Sequence, residues 1–237
     1  MKIRVEIWFD YTCPFCYIGK KKFEAALEQF DYKNEVEIVL HSFEMVTGYY
    51  PHAGESIYET ASKHAGMSVS QAKHAYMQVT DMARMTGLDY RFDQTIPANT
   101  FNAHRLTHYA AAHGKAYALS ERIFKAYFTE GLNINDPSTL ALLAAEAGLD
   151  GTKSLAVLES NQYTTEVHKD EKDSRLASVR GMPYFLFNET YSISGARDQS
   201  VFKEVLDQAW SKVETVSDDN TESATSPGCL DGSCPIR

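Results

Sequence analysis

The stretch FDYTCPFCYIGKKKF, residues Phe9 to Phe23, carries two cysteines close to the start of the chain. Directly before it, IRVEIWF alternates apolar and polar residues, which predicts a strand over residues 3–9 with one buried face. After the cysteines, apolar residues recur with helical spacing as far as Phe30, and VEIVL predicts a second strand over residues 36–40. The sequence therefore predicts a βαβ unit with the cysteine pair at the turn from strand to helix.

Helical and then strand character follows downstream of this unit. From about Tyr50 there are long alanine-rich amphipathic stretches, which start after Ser, Asn or Asp and stop at Gly. Asp136 followed by Pro137 is typical of a helix N-cap with proline at the first helical position. MPYFLFN (residues 182–188) and TYSIS (190–194) then predict a hairpin, and a last amphipathic helix follows it.

This order of elements predicts an α/β fold with a central four-stranded sheet. Neither outer half, residues 1–49 or residues 181–214, closes a sheet by itself, so the two halves are expected to form one discontinuous domain. Residues 50–180 are expected to form a large all-helical insertion domain. Residues 215–237 are polar, acidic and without periodicity, which predicts a flexible C-terminal tail.

Composition narrows the class of protein. A hydrophobic fraction of 43% can supply a core, and a net charge of −9 argues against binding to nucleic acid or to an anionic membrane. The only basic run, Lys20 to Lys22, is typical of a solvated helix face. The amino terminus has no apolar signal-peptide core, and no apolar window is long enough to span a bilayer. We therefore expect a cytoplasmic protein, in which close cysteine pairs are more often catalytic, redox-sensing or metal-binding than structural.

The predicted turn gives the two cysteines different chemistry. Cys13 would lie at the helix N-terminus, where free backbone N–H groups and the helix dipole favour a thiolate, and Pro14 fits the first helical turn. Cys16 would lie one turn later in a more buried position. We therefore expect Cys13 to attack, or to be attacked, and Cys16 to resolve the mixed disulfide.

Two other interpretations of Cys13 and Cys16 stay open. A C-X-X-C pair is also half of a zinc site, but zinc needs four ligands and the second cysteine pair lies on the predicted tail. Inert buried thiols are disfavoured because the loop before a helix is expected to be exposed. The context of strand, cysteine pair and helix favours the redox interpretation.

Pro183 supports the redox interpretation from a distant part of the sequence. It lies in GMPYF, at the start of the third predicted strand, where a trans proline would be awkward in a central position. A cis Met182–Pro183 bond there would cost only about a kcal/mol and is the kind of feature that is retained for a purpose. The alternative is a trans proline with no special role, because proline also occurs at strand ends.

Together these features resemble the thioredoxin-fold DsbA superfamily: CPFC after a first strand, GMPYF before a terminal hairpin, and a helical insertion between them. More narrowly, NTFNAHRL (residues 99–106), IFKAYFTEG (123–131) and YSISGARD (191–198) resemble the FrnE-like dithiol oxidoreductases. The likeness covers residues from about 3 to 212. It implies that the discontinuous sheet domain is thioredoxin-like.

The resemblance also implies an activity, that of a protein dithiol–disulfide oxidoreductase or isomerase. Cys13 would be the nucleophile, Cys16 its resolving partner, and Pro183 the cis-proline that faces them. The residues implied to contact an extended protein or peptide substrate are Pro14, Phe15 and Met182. No cofactor is implied beyond the redox-active disulfide, with glutathione, a small-molecule thiol, as a candidate co-substrate. Met182 departs from the family pattern, where valine or threonine is more usual before the proline.

A second cysteine pair lies near the end of the chain. Some FrnE-like members carry a C-terminal CX4C, and Cys229 and Cys234 match its spacing. Such a pair implies a shuttle that passes electrons to or from the main dithiol. As a coil, about 18 residues from Ser211 to Gly228 would span on the order of 25 Å, enough for Cys229 to reach Cys13. The alternative is a tail whose thiols oxidise with each other and do nothing else.

Two other functions stay open beside the dithiol oxidoreductase. Relatives with serine at the first cysteine position, the kappa-type glutathione transferases and the 2-hydroxychromene-2-carboxylate isomerases, act on small molecules with glutathione. Cys13 together with Cys16 argues against that chemistry here. A zinc-binding or redox-sensing module that uses all four cysteines is the other alternative.

Two further clusters are weaker candidates for function. His104 and His108 are four residues apart on a predicted helix, as metal ligands can be, but no third ligand has a matching spacing. A surface or helix-packing role is therefore favoured. Met77, Met82 and Met85 are typical of an adaptable interior or of a substrate groove.

Overall fold

The computed structural model describes residues 2–52, 54–176, 179 and 181–222, with side chains as far as residue 213. The predicted βαβ unit is present as strand β1 (Ile3–Phe9), helix α1 (Pro14–Glu28) and strand β2 (Val36–Ser42). A short 3₁₀ turn, Lys33–Glu35, leads into β2.

The predicted helical insertion follows β2. Within the described residues its helices are α2 (Ile57–Ala65), α3 (Val69–Arg84), α4 (Phe101–Ala111), α5 (Ala116–Phe128), α6 (Pro137–Glu146), α7 (Gly151–Leu158) and α8 (Thr164–Leu176). Helices α2, α3 and α6 start with the predicted caps: Ser56 and Ser68 form capping boxes, and Asp136 accepts the Thr139 N–H with Pro137 in the first turn.

The chain then returns to the sheet with β3 (Tyr184–Phe187) and β4 (Tyr191–Ser194). The predicted hairpin is confirmed, and its turn residues Asn188 and Glu189 have the positive φ angles that a tight hairpin turn requires. Strand β3 starts two residues later than predicted, because Met182 and Pro183 form a bend before it and Pro183 has no N–H for a strand ladder.

The last helix, α9 (Gln199–Glu222), corrects the predicted tail. We expected flexible chain from residue 215, but the helix continues to Glu222. The predicted start of the tail is therefore wrong. The coil length that was used to estimate how far Cys229 can reach is wrong for the same reason. Residues 223–237, with Cys229 and Cys234, lie outside the described residues.

The four strands form one sheet in the order β2-β1-β3-β4, with β1 parallel to β2 and antiparallel to β3. One face carries the alternating apolar residues of β1 and packs against α1 and α9; the buried set includes Ile3, Val5, Ile7, Phe23, Phe185, Phe202 and Leu206. On the insertion side α8 packs along β2, and the Trp8 indole donates to the Asp170 carbonyl of α8. The α/β fold with a thioredoxin-like sheet and a helical insertion is confirmed.

Within the described part of the chain, no helix combines the length and the hydropathy needed to cross a lipid bilayer. The boundaries of the two domains at residues 49 and 181 stay a prediction.

Candidate active site

Cys13 lies at the start of α1, as predicted. It is the N-cap residue with extended backbone angles, φ −83° and ψ 110°, and Pro14 takes the first helical position. The Cys13 N–H donates to the Asp10 carbonyl at 3.2 Å, and the Cys16 N–H donates to the Cys13 carbonyl at 3.0 Å. Cys16 is therefore one turn further on, and both cysteines are free thiols.

The expectation that this turn is exposed is wrong. Cys13 is 3% exposed and Cys16 is 2% exposed, so the predicted difference in burial between the two thiols is absent. The insertion covers the turn, since the Tyr90 hydroxyl donates to the Pro14 carbonyl at 2.7 Å. Of the turn residues, Phe15 is the one whose side chain projects outward, at 39% exposed.

The surroundings of the two sulfurs separate their chemistry. Burial and the neighbouring Cys13 sulfur raise the pKa of the Cys16 thiol well above its ordinary value. Cys16 is therefore held as a thiol, which suits a group that reacts only after a mixed disulfide has formed on Cys13.

Pro183 lies against the helix that carries the cysteines. The Met182–Pro183 peptide bond is cis, as expected. A Cβ atom added to Gly19 would lie 2.6 Å from the Pro183 Cγ, so the proline packs directly on α1 one turn beyond Cys16. Met182 is partly buried against the apolar cluster that contains both cysteines, and the Pro183 carbonyl accepts the Gly195 N–H at 2.7 Å. The fold thus brings Cys13, Cys16, Met182 and Pro183 to one end of α1.

A cavity of about 700 Å³ lies beside Cys13. Its walls come from the cysteine turn, the segment after β2, helices α2 and α3, residues 97–100, and Tyr127 of α5. Pro14 and Phe15 are wall residues, whereas Met182 and Pro183 are not among them. Met82 also lines the cavity, while Met77 and Met85 do not and are exposed by 65% and 88%. Of the three methionines, the groove interpretation therefore fits Met82.

Asp10 fixes the loop that leads to Cys13. It is buried, and its carboxylate accepts the Met45 N–H at 2.8 Å and the Thr12 hydroxyl at 3.1 Å. Burial alone would raise the pKa of Asp10, but the neighbouring His104 and the Met45 N–H outweigh burial and lower it. Asp10 is therefore an ionised group beside the cavity whose oxygens are already occupied.

The two histidines do not share a site. His104 is fully buried, stacks edge-on against Phe9, and has its Nε2 3.6 Å from Asp10. His108 instead lies 3.0 Å from the Asp170 carboxylate. The packing role favoured from the sequence fits both residues, although a surface position is wrong for His104. Among the described residues there is no group of three or more metal-ligating side chains.

Sequence reasoning missed one titratable group near the site. Glu44 is 7% exposed, and burial together with the nearby Glu171 and Asp10 raises its pKa to about 7. No signal in the sequence pairs Glu44 with Glu171, because Glu44 follows β2 and Glu171 lies in α8, far along the chain.

Comparisons with known proteins agree with this geometry. The DSBA-like thioredoxin domain family model matches residues 4–207. The uncharacterised protein YwbO of Bacillus subtilis (strain 168) is 29% identical over 211 residues, which is 87% of this chain and 96% of YwbO. The crystal structure of a probable DsbA oxidoreductase from Streptomyces coelicolor is similar with a TM-score of 0.83 and 33% identity, over 97% of this chain and 94% of that one. The cytosolic disulfide reductase DsbM from Pseudomonas aeruginosa, solved with GSH, shares the fold with a TM-score of 0.59 and 16% identity, over 90% of this chain and 98% of that one.

Proposed function

The chain belongs to the DSBA-like thioredoxin domain family, and on this premise we propose that it is a thiol–disulfide oxidoreductase that works through a mixed disulfide on Cys13. The observation that carries the proposal is the placement of Cys13 at the N-cap of α1, with the Cys16 thiol one turn away. A helix N-terminus favours a thiolate through its free N–H groups and its dipole.

In the reducing direction, the Cys13 thiolate attacks one sulfur of a substrate disulfide. A Cys13–substrate S–S bond forms, the substrate S–S bond breaks, and the second substrate sulfur leaves and takes a proton from water. Cys16 then loses its proton to water, attacks the Cys13 sulfur and releases the first substrate sulfur as a thiol. The protein ends with a Cys13–Cys16 disulfide, and the substrate has gained two electrons and two protons. The oxidising direction is the reverse sequence.

The substrates of this chemistry are protein or peptide thiols and disulfides, or a small-molecule thiol or disulfide. Phe15 is exposed next to Cys13, and Met182 and Pro183 lie at the same end of α1, which supports contact with a bound chain. Reduction of insulin disulfides tests the activity. Wild-type protein should reduce insulin and Cys13→Ser should not; equal rates for the two proteins would refute the proposal.

We further propose that Cys229 and Cys234 exchange with the main dithiol, on the strength of their CX4C spacing. The double variant Cys229→Ser with Cys234→Ser should turn over protein substrates more slowly, while Cys13 in the reduced protein still reacts with a small disulfide in a single turnover. Unchanged turnover together with an unchanged redox state of Cys13 would contradict the exchange and leave the activity of Cys13 standing.

The cytoplasmic location predicted from the sequence also belongs to this proposal. Fractionation of cells that express the protein from its own promoter tests it, and recovery outside the cytoplasm would contradict it.

A further inference from the structure

The cavity beside Cys13 has the size of a small-molecule site. Its volume of about 700 Å³ exceeds the space of one amino-acid side chain and lies in the range of ligand pockets. Cys13, Pro14 and Phe15 form one part of its wall, while Val79 and Met82 of α3 belong to another. A molecule held in the cavity would therefore be next to the nucleophile of the proposed reaction.

The walls are mostly apolar and contain few charges. They include Ile57, Ala61, Ala75, Val79, Pro97 and Ala98, and the lining residues in the described chain include neither lysine nor arginine. The one carboxylate, Asp10, is already bonded to Met45 and Thr12 and is held ionised. A second anion placed in this cavity would lose its hydration and meet the like charge of Asp10, with one histidine, His64, and no lysine or arginine among the lining residues of the described chain.

One wall residue has an unused hydrogen-bonding group. Tyr127 is fully buried, and its hydroxyl has no hydrogen-bond partner among the described residues. Buried hydroxyl groups are nearly always paired, because an unmade bond costs free energy. A neutral ligand that carries an acceptor such as a nitro or carbonyl oxygen would supply the missing partner.

From these features we infer that the cavity binds the uncharged aromatic group of a small-molecule disulfide and presents one of its sulfurs to Cys13. This inference rests on the proposed dithiol chemistry and names a substrate class for it. Glutathione disulfide, which carries several carboxylates, is a poor occupant of this cavity.

The reaction follows the proposed steps with an aryl disulfide as the oxidant. Cys13 forms an S–S bond to one aryl sulfur as the aryl disulfide bond breaks, and one aryl thiol leaves. Cys16 then displaces the second aryl thiol and closes the Cys13–Cys16 disulfide. The protein loses two electrons and the aryl disulfide gains them, so a single turnover of reduced protein needs no further reagent.

A matched pair of chromogenic disulfides tests the inference. Bis(para-nitrophenyl) disulfide is neutral, and its analogue with one carboxylate on each ring carries two negative charges. Each is mixed with reduced protein in a single turnover, and each rate is divided by the rate of the same compound with free dithiothreitol. The corrected rate should be at least about tenfold higher for the neutral compound and should saturate with its concentration.

Variants that fill the cavity show whether the preference comes from it. Ala61→Phe and Ala75→Phe each place a ring in the cavity, from two different helices. If one variant fails to fold, the other still tests the role of the cavity. Each should lower the rate for the neutral aryl disulfide, relative to the rate for hydroxyethyl disulfide, by about tenfold. Ala111→Phe is the control, because Ala111 is an exposed helical residue that does not line the cavity.

Different results would contradict the role of the cavity and the dithiol chemistry of Cys13. Equal corrected rates for the neutral and carboxylated compounds, or ratios that the filling variants leave unchanged, would overturn the role of the cavity while Cys13 still reacts. Absence of reaction with every disulfide, hydroxyethyl disulfide included, would overturn the dithiol chemistry as well.

Discussion

At the scale of single residues, Cys13 and Cys16 show that burial alone does not assign chemical roles. Both are almost fully covered, at 3% and 2% exposed. What separates them is position: Cys13 is the N-cap of α1 and lines a cavity, whereas Cys16 lies inside the first turn. The proposed order of attack therefore rests on the helix start and on access to the cavity.

The pKa of Cys16 gives a prediction for the second step of the reaction. Burial is the main cause of its raised pKa, and it persists when Cys13 is tied up in a mixed disulfide. Cys16 must lose its proton to attack, so release of the second thiol should accelerate about tenfold per pH unit between about pH 7 and pH 9. Two-phase thiol release from a chromogenic disulfide in a single turnover measures this rate, and Cys16→Ser, which should lack the second phase, is the control. A rate that is level across this range would contradict the prediction.

Glu44 gives a prediction for stability. Its pKa of about 7 in the folded protein exceeds the ordinary value of 4.5, so between these values the native protein holds a proton that the unfolded chain has released. The free energy of unfolding should therefore fall as pH rises through this window.

Glu44→Gln should remove this pH-dependent loss of stability, because the amide has the shape of the protonated carboxyl group and does not ionise. It should raise the free energy of unfolding by about 1–2 kcal/mol at pH 8 and change it little at about pH 5. Urea unfolding at the two pH values measures the effect, with the exposed Glu37→Gln as the control. A variant that is less stable than wild type at pH 8 would show that Glu44 is needed as a carboxylate.

At the scale of elements, the contact between α1 and the bend before β3 forms the site. Gly19 is the residue that permits it, because any side chain there would meet Pro183. Local patterns in the sequence predicted the helix and the hairpin, whereas the family resemblance implied the cis bond. It did not predict the role of Gly19, which depends on two segments separated by the entire insertion.

Gly19→Ala tests this contact. Alanine favours the helix by about 1 kcal/mol, but its Cβ would lie 2.6 Å from the Pro183 Cγ and must push the bend away from α1. We expect kcat/KM for insulin reduction to fall about tenfold, since small misplacements near a reacting group are costly.

Gly151→Ala is the matched control for Gly19→Ala. It also lies in a helix, but an added Cβ there meets its nearest atoms at 3.4 Å, an ordinary contact. A Gly19→Ala protein that is more stable than wild type and equally active would show that the contact with Pro183 is not required.

At the scale of the whole molecule, the insertion is fastened to the helix that carries the cysteines. The sequence indicated a solvated face for Lys20 to Lys22, and this is wrong for Lys20, which is 6% exposed. Its ammonium lies 2.5 Å from Glu24 and 2.5 Å from Glu121 of α5, and Lys21 also pairs with Glu121. Burial alone would raise the pKa of Glu121, but the two lysines outweigh burial and lower it.

Glu121→Gln tests how much this junction contributes. It leaves a buried Lys20 with Glu24 as its remaining carboxylate, so the free energy of unfolding should fall by about 1–2 kcal/mol. This is less than the effect of breaking a fully buried ion pair, because Glu121 is partly solvated. Urea denaturation measures the loss. Asp207→Asn, which breaks the exposed Lys203–Asp207 pair of α9, is the control and should cost less than about 0.5 kcal/mol. Equal effects of the two substitutions would show that the junction adds no stability.

The sequence predicted the features whose residues are close together in the chain. The strand, the cysteine turn and the helix lie within 30 residues, and their pattern is enough to place Cys13 and Cys16 at the turn. The covering of those thiols by Tyr90, the pairing of Lys20 with Glu121 and the walls of the cavity join residues from separate segments. Such contacts depend on tertiary packing, which periodicity in one sequence does not encode.

Trapping the mixed disulfide tests the central claim most directly. Reduced Cys16→Ser protein lacks the resolving thiol, so it should accumulate a covalent adduct when mixed with a disulfide-bonded peptide. Peptide mapping by mass spectrometry should find one peptide per protein attached through Cys13, and dithiothreitol should release it. An adduct confined to Cys229 or Cys234, or no adduct at all, would contradict the account of Cys13 as the attacking thiol.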